Sequence, residues 1–286
     1  MNQMTRVAPM PAIDFSKPKG EEAYLAPDTI QWKVFKNPVA LAVGGVAAVL
    51  LEFADARIRS GVWDHSIYKV DPIGRSQRTG MAAMVGVYGP KSVARQVIGG
   101  VNRMHAKVAG KTPSGEDYRA LDPELLNWVS ATAQYGFLTA YDRFVRRLSA
   151  PEKDRFWHEG TAIAELYGVT EIPHLEADFH RMMERLLPRF EPHPINREFL
   201  EIIQSGRAAP SVPRFLHRSL ARAAVSILPP AVRERLDLGR EFDLTTRDRV
   251  LVKAMGRLPE HMKDRSSPAW QAAIRLGLPG DTAWKR

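Results

Sequence analysis

From residue 39 onward, apolar residues return every three or four positions in segments separated by Pro and Gly. This is the pattern of helices that bury one face. It predicts helices over 39–60, 75–87, 91–108, 123–148, 151–167 and 174–187, then over 196–204, 213–227, 231–236, 245–255 and 268–276. Two starts carry explicit signals. Asp122-Pro123-Glu124 orders a cap, a first-turn proline and an early acid, and Ser149-Ala150-Pro151-Glu152 nearly repeats the arrangement. Alternation of apolar and polar residues never persists between turn signals, so no strand is predicted and the fold class is all-α, a multi-helix bundle. No repeat at the ~30–45 residue period of solenoids is present.

Pro9, Pro11, Pro18 and Pro27 make residues 1–27 an irregular N-terminal arm. One helical domain is expected over 28–276, with a C-terminal extension from about residue 213, after a stretch rich in Pro and turn residues. Residues 277–286 read as a frayed tail. The longest apolar run, 38–51, is closed by Glu52 and falls short of the ~20 residues that cross a bilayer, so it reads as a buried helix and no transmembrane segment is expected. The first thirty residues lack the apolar stretch of a secretory signal, and the expected location is cytoplasmic or peripheral to a membrane.

With 286 residues, 44% of them hydrophobic, the chain can bury a large core. It has no cysteine, which excludes disulfides, thiolate-bound zinc, iron–sulfur clusters and a cysteine nucleophile. The formal charge of +9 admits anionic partners. The basic residues are interleaved with acids along the chain, however, so dedicated nucleic-acid binding is not expected. The pattern specifies no oligomeric state.

Two places could carry chemistry. Val97, Val101, Met104, His105 and Val108 share one stripe of a predicted helix, which puts His105 among apolar neighbours. Such a histidine is either a core residue bonded to a carbonyl or an axial ligand to haem, since neutral imidazole in an apolar pocket is a natural iron ligand. In the second place, Asp71-Pro72-Ile73-Gly74 leads into a helix that carries Arg75, Arg78 and Thr79 on one face. That face is either solvated or built for an anion or a polarised oxygen. Gly80, Ala82, Ala83 and Gly86 keep the next turns small, as close approach of a flat ligand or another helix requires. The spaced pairs Asp154/His158, Glu176/His180 and His180/Glu184 read as surface bonds, because the Glu-x-x-His at Glu171–His174 is interrupted by Pro173. Nucleotide-binding and serine-hydrolase motifs are absent.

Read in order, several residues resemble the MpaB-type oxygenase family, which also includes the bacterial latex clearing proteins. They are Asp64-His65-Ser66, Asp71-Pro72 with Arg75 and Thr79, Met104-His105 with Val108 and Gly110, and Tyr118-Arg119-Ala120-Leu121-Asp122-Pro123-Glu124-Leu125-Leu126 with Trp128-Val129. The series continues through Ala131-Thr132, Ala140-Tyr141, Leu148-Ser149, Glu152, Tyr167-Gly168 and Pro173, and so spans about residues 32–188. The resemblance implies an all-α fold with a globin-like core, haem b, and dioxygen chemistry on an apolar, often isoprenoid, small molecule. It assigns His105 as axial ligand to the haem iron, and Arg75 and Thr79 to the distal side. Arg78 stands where latex clearing proteins have a lysine able to reach the iron, which an arginine does not do. Ser130 and Asp55-Ala56 stand where other relatives carry a histidine and a His-Pro pair.

The expected function is therefore a haem-dependent oxygenase with Arg75, Arg78 and Thr79 as catalytic residues and His105, Arg75 and Arg78 holding the cofactor. The alternatives are a non-catalytic haem or lipid carrier, and a helical scaffold with a basic surface. The walls expected around the site are Val97, Val101, Met104, Trp128, Val129, Phe137 and Tyr141.

Overall fold

The computed structural model describes residues 13–65, 71–207 and 212–285. Within them the architecture is all-α. The helices are α1 (Ile30–Phe35), α2 (Pro38–Glu52), α3 (Ala56–His65), α4 (Pro72–Tyr88), α5 (Lys91–His105), α6 (Pro123–Phe144), α7 (Ala150–Glu159), α8 (Thr161–Leu166), α9 (Glu176–Leu186), α10 (Pro194–Gln204), α11 (Arg214–Ser226), α12 (Pro230–Arg235), α13 (Thr246–His261) and α14 (Pro268–Arg275). A small antiparallel hairpin pairs β1 (Ala109–Lys111) with β2 (Asp117–Arg119) between α5 and α6.

The bundle is organised around α2 and α6, the most extensively packed helix pair. Their backbones touch. A Cβ on Gly44 would lie 2.7 Å from the Gly136 carbonyl, and one on Gly136 would lie 2.4 Å from the Gly44 oxygen, so neither position accepts a side chain without moving a helix. Beside this contact α9 inserts Phe179, whose ring stacks on Tyr135 at 4.2 Å and on Trp128 at 5.5 Å between centroids. Trp32, Trp128 and Trp157 are fully buried, and each contributes several kcal/mol of apolar burial at ~25 cal/mol per Å².

The cap signals behave as read. Asp122 accepts from the backbone N–H of Glu124 and Leu125, and Glu152 accepts from the backbone N–H and hydroxyl of Ser149. Three element expectations are corrected. The helix over 39–60 is two helices, because Asp55 accepts from the Arg57 backbone N–H and binds its guanidinium through two bonds of 3.1 and 2.7 Å, starting α3 afresh. The helix over 151–167 breaks at Gly160, where a Cβ would fall 2.5 Å from Gln134. The helix expected over 91–108 ends at His105 in a turn, and a strand follows from Ala109, with Gly110 lying under the Tyr118 ring so closely that a Cβ would come 2.6 Å from its hydroxyl.

Residues 13–27 contain no helix but are held down. Phe15 and Leu25 are buried, and the buried Arg275 guanidinium donates to the carbonyls of Phe15, Glu21 and Tyr88 at 2.7–2.8 Å. Residues 1–12, together with Ser66 of the Asp64-His65-Ser66 motif, lie outside the described residues. At the other end, Thr282–Trp284 forms a 3-10 turn that buries Ala283 and sets Trp284 edge-on to Trp270.

Candidate functional site

The second layer beside α2 and α6 is the α4–α5 hairpin, reversed at Gly89-Pro90. Its α4 packs on α1, α5 and α14, and its α5 packs on α8. On the central pair, several apolar residues are only partly buried: Leu41, Val46 and Val49 on α2, Val129 and Phe137 on α6. The Gly45 Cβ position lies 3.9 Å from the Phe137 ring. Met81, Met84 and Val97 form the partly buried apolar side of the hairpin.

Arg75 links two titratable side chains on two other helices. Arg75 on α4 acts electrostatically on both Glu52 of α2 and His105 of α5. Glu52 keeps some accessible surface, but its carboxyl group is ringed by protein, and that desolvation pushes its pKa up to about 7, against the pull of Arg75 and a 3.5 Å contact from the Thr132 hydroxyl. His105 is shifted the other way. Burial, and then the positive charge of Arg75, lower its pKa, so the imidazole is neutral at pH 7. Its Nδ1 is enclosed and has no hydrogen-bond partner, and neither ring nitrogen meets a carbonyl among the described residues. The core-histidine alternative requires such a carbonyl.

The other residues picked from the sequence sit less centrally. Arg78 is 3.9 Å from the carboxylate of Asp71, which caps α4 by accepting from the Gly74 N–H at 2.8 Å. The Thr79 hydroxyl turns back to the Arg75 carbonyl at 3.0 Å. Among the expected wall residues, Trp128 and Tyr141 are fully enclosed core, bonded to the Leu51 carbonyl and to Glu260, and Met104 points outward with 58% of its surface exposed. Gly86 contacts Ile163 of α8, whereas a Cβ on Gly80 would meet nothing within 4 Å. Glu52 was missed in the sequence, although a single carboxylate ending the longest apolar run was the signal for it.

Much of the rest of the sequence pattern is structural. His65 Nε2 lies 3.1 Å from the Tyr118 hydroxyl, above Gly110, and Glu124 joins the buried Arg57–Asp55 pair at 2.6 Å. His180 stands 4.0 Å from Glu176. Among the described residues no three His, Cys, Asp or Glu side chains gather as a metal-ligand group. A single axial histidine needs no such cluster. A neutral imidazole whose Nδ1 is enclosed and without a partner, with a guanidinium acting on it, fits a haem group.

The profile of the family described as "ER-bound oxygenase mpaB/B'/Rubber oxygenase, catalytic domain" matches residues 32–260. The chain belongs to this family. The match covers the α2–α6 pair, the α4–α5 hairpin and every residue of the convergent group, so the chain carries an oxygenase catalytic domain whose chemistry involves oxygen and a substrate. No curated protein and no solved structure matches the chain. Among the described residues no helix is long and apolar enough to cross a membrane.

Proposed function

We propose that this mpaB/rubber oxygenase family member is a haem-dependent oxygenase that acts with dioxygen on an apolar, olefinic small molecule, an isoprenoid or unsaturated lipid. The observation that supports this reading most directly is His105: neutral, with its Nδ1 enclosed and without a partner, in the field of Arg75, which also acts on Glu52. Residues 28–276 are proposed as the catalytic unit.

In this reading His105 holds the iron of haem b through an imidazole nitrogen. Haem, when bound, supplies the redox chemistry that activates dioxygen. Arg75 places a fixed positive charge where negative charge develops on oxygen, and Arg78 and Thr79, one turn along α4, orient polar groups at the rim. Glu52, with a pKa near neutrality, can hold or release a proton at its carboxyl group. The apolar stripes of α2 and α6 exclude water and bind the hydrocarbon part of the substrate. A haem or lipid carrier has no use for a carboxyl group poised between its two charge states, which favours the enzyme.

The test is an absorption spectrum of the purified protein, followed by oxygen uptake with unsaturated terpenoids and fatty acids against polar controls. The reading expects a Soret band and uptake with apolar olefins alone. A colourless protein that takes up no added haem refutes the haem assignment, and turnover with polar compounds only refutes the substrate class.

A further inference from the structure

Helix α13 packs on α2, α6 and α11, and two residues fix its inward side: Val252, fully buried, and Gly256, where a Cβ would lie 2.7 Å from the Phe144 carbonyl. Residues two positions apart on a helix point about 200° apart around its axis. Val250, Ala254 and Leu258 each stand two positions from an inward residue, so they share the outward side as an i, i+4, i+8 stripe. Val250 and Leu258 leave 64% and 59% of their surface exposed, Ala254 is exposed between them, and Met262, just past the helix end, is exposed too. Single exposed aliphatic residues are ordinary, but a row of them on one helix face marks an interaction surface.

The charges of α13 are sorted to match. Its two carboxylates both serve the interior: Asp248 accepts from the Ser219 hydroxyl at 2.7 Å and from Arg222 at 3.0 Å, and Glu260 accepts from Lys36, Asn37 and Tyr141. Its cations do not. Arg247, Arg249 and Arg257 are exposed, Lys253 is partly buried, and none of them forms an ion pair among the described residues. Elsewhere exposed arginines are paired, as in Arg181–Asp178, Arg185–Glu171 and Arg197–Glu241. The acids that flank the helix are engaged, Asp243 by Arg233 and Asp264 by Ser266. Arg247, Lys253 and Arg257 each lie three positions from a stripe residue and so border the stripe.

We propose that the outward face of α13 docks on an anionic lipid surface, with Val250, Ala254, Leu258 and Met262 entering the boundary between headgroups and acyl chains and Arg247, Lys253 and Arg257 meeting the lipid anions. A convex aliphatic stripe bordered by unpaired cations, with every carboxylate of the helix turned away, complements such a surface in both polarity and charge. Single-stranded nucleic acid is held by stacking aromatics, and this face carries none. A partner helix needs a groove, and this face is a ridge. The docking does not depend on haem. Supply of an apolar substrate from the bilayer is the consequence that rests on the proposed function.

The experiment is co-sedimentation of the purified full chain with vesicles of phosphatidylcholine alone or mixed with phosphatidylserine. Binding to the mixed vesicles is expected, and little to the neutral ones. Arg247→Ala combined with Arg257→Ala should weaken it about 25-fold, at about fivefold for each cation at the surface. Val250→Ser combined with Leu258→Ser should weaken it at least about tenfold, with the circular dichroism of both variants still helical. Arg181→Ala combined with Arg185→Ala removes the same charge from α9 and should change binding less than about twofold. Because the chain has no cysteine, Ala254→Cys gives a single labelling site, and an environment-sensitive dye there should shift to the blue on the mixed vesicles. Equal losses from the α9 and α13 arginine pairs would show net charge alone at work and overturn the docking face. An unshifted dye on a vesicle-bound chain would do the same. If single-stranded RNA or polyglutamate shifts the dye and the vesicles do not, the lipid assignment fails.

Discussion

The two ends of α2 each bring a carboxylate from the bundle into play, and they treat it in opposite ways. At the N-terminal end, Glu260 of α13 is saturated: it accepts from Lys36 Nζ at 2.5 Å, Asn37 Nδ2 at 2.9 Å and the Tyr141 hydroxyl at 3.0 Å. At the C-terminal end, Glu52 has a 3.5 Å contact from Thr132 and the field of Arg75, which also acts on His105, whose Nδ1 has no partner. A polar cluster whose every group is bonded locks helices together, whereas one with bonds unmade is poised to bind something else. The comparison assigns structure to the first end and chemistry to the second.

The largest expected effect breaks the second end. His105→Ala should lose haem and the Soret band altogether while keeping its helical circular dichroism. Retention of a wild-type spectrum would show that His105 is not the ligand.

At the first end, Glu260→Ala should destabilise the fold by about 3 kcal/mol, because the enclosed Lys36 ammonium loses its counter-charge. Haem content and oxygen uptake per folded molecule should be unchanged at temperatures well below the lowered Tm. Denaturant unfolding measures the first expectation, and a loss below ~1 kcal/mol would remove the contrast between the ends.

Glu52 sharpens the comparison through pH. Its folded pKa of about 7 lies above the ordinary 4.5, so between those values the folded chain holds a proton that the unfolded chain has released. Stability from this group is full below pH 4.5 and falls by about 3 kcal/mol as pH rises through 7. Glu52→Gln should remove that slope, and unfolding of both proteins at pH 5 and pH 8 measures it. Parallel pH profiles would mean that the carboxyl is not desolvated.

The smallest expected change is at the rim. Arg78→Ala removes a partly exposed group 3.9 Å from Asp71 and should alter stability by less than ~0.5 kcal/mol. Haem should be retained and turnover slowed. Release of haem by this variant would instead make Arg78 an anchor for a haem carboxylate.

The pattern of helices was legible because each start carried its own chemistry: Asp122 and Ser149 sit next to the N–H groups they serve, and such bonds depend on neighbours in sequence. The break after α2 was not legible. Asp55 looked like one more residue in a helical period, and its role depends on bonds to Arg57 that compete with helix continuation, reinforced by Glu124 from a distant helix. The β1–β2 hairpin escaped notice because three-residue strands are too short to show alternation.

By itself the sequence determined the all-α class, the helix starts, the family pattern and His105 as a candidate, since periodicity and local hydrogen bonding act over a few residues. Only the tertiary structure decided which candidates meet. It brought Glu52, Arg75 and His105 together from three helices, turned Trp128 and Tyr141 into core, and sent Met104 outward. Desolvation and charge–charge fields depend on what surrounds an atom in space, and in this bundle that is set by helix packing such as the Gly44–Gly136 crossing.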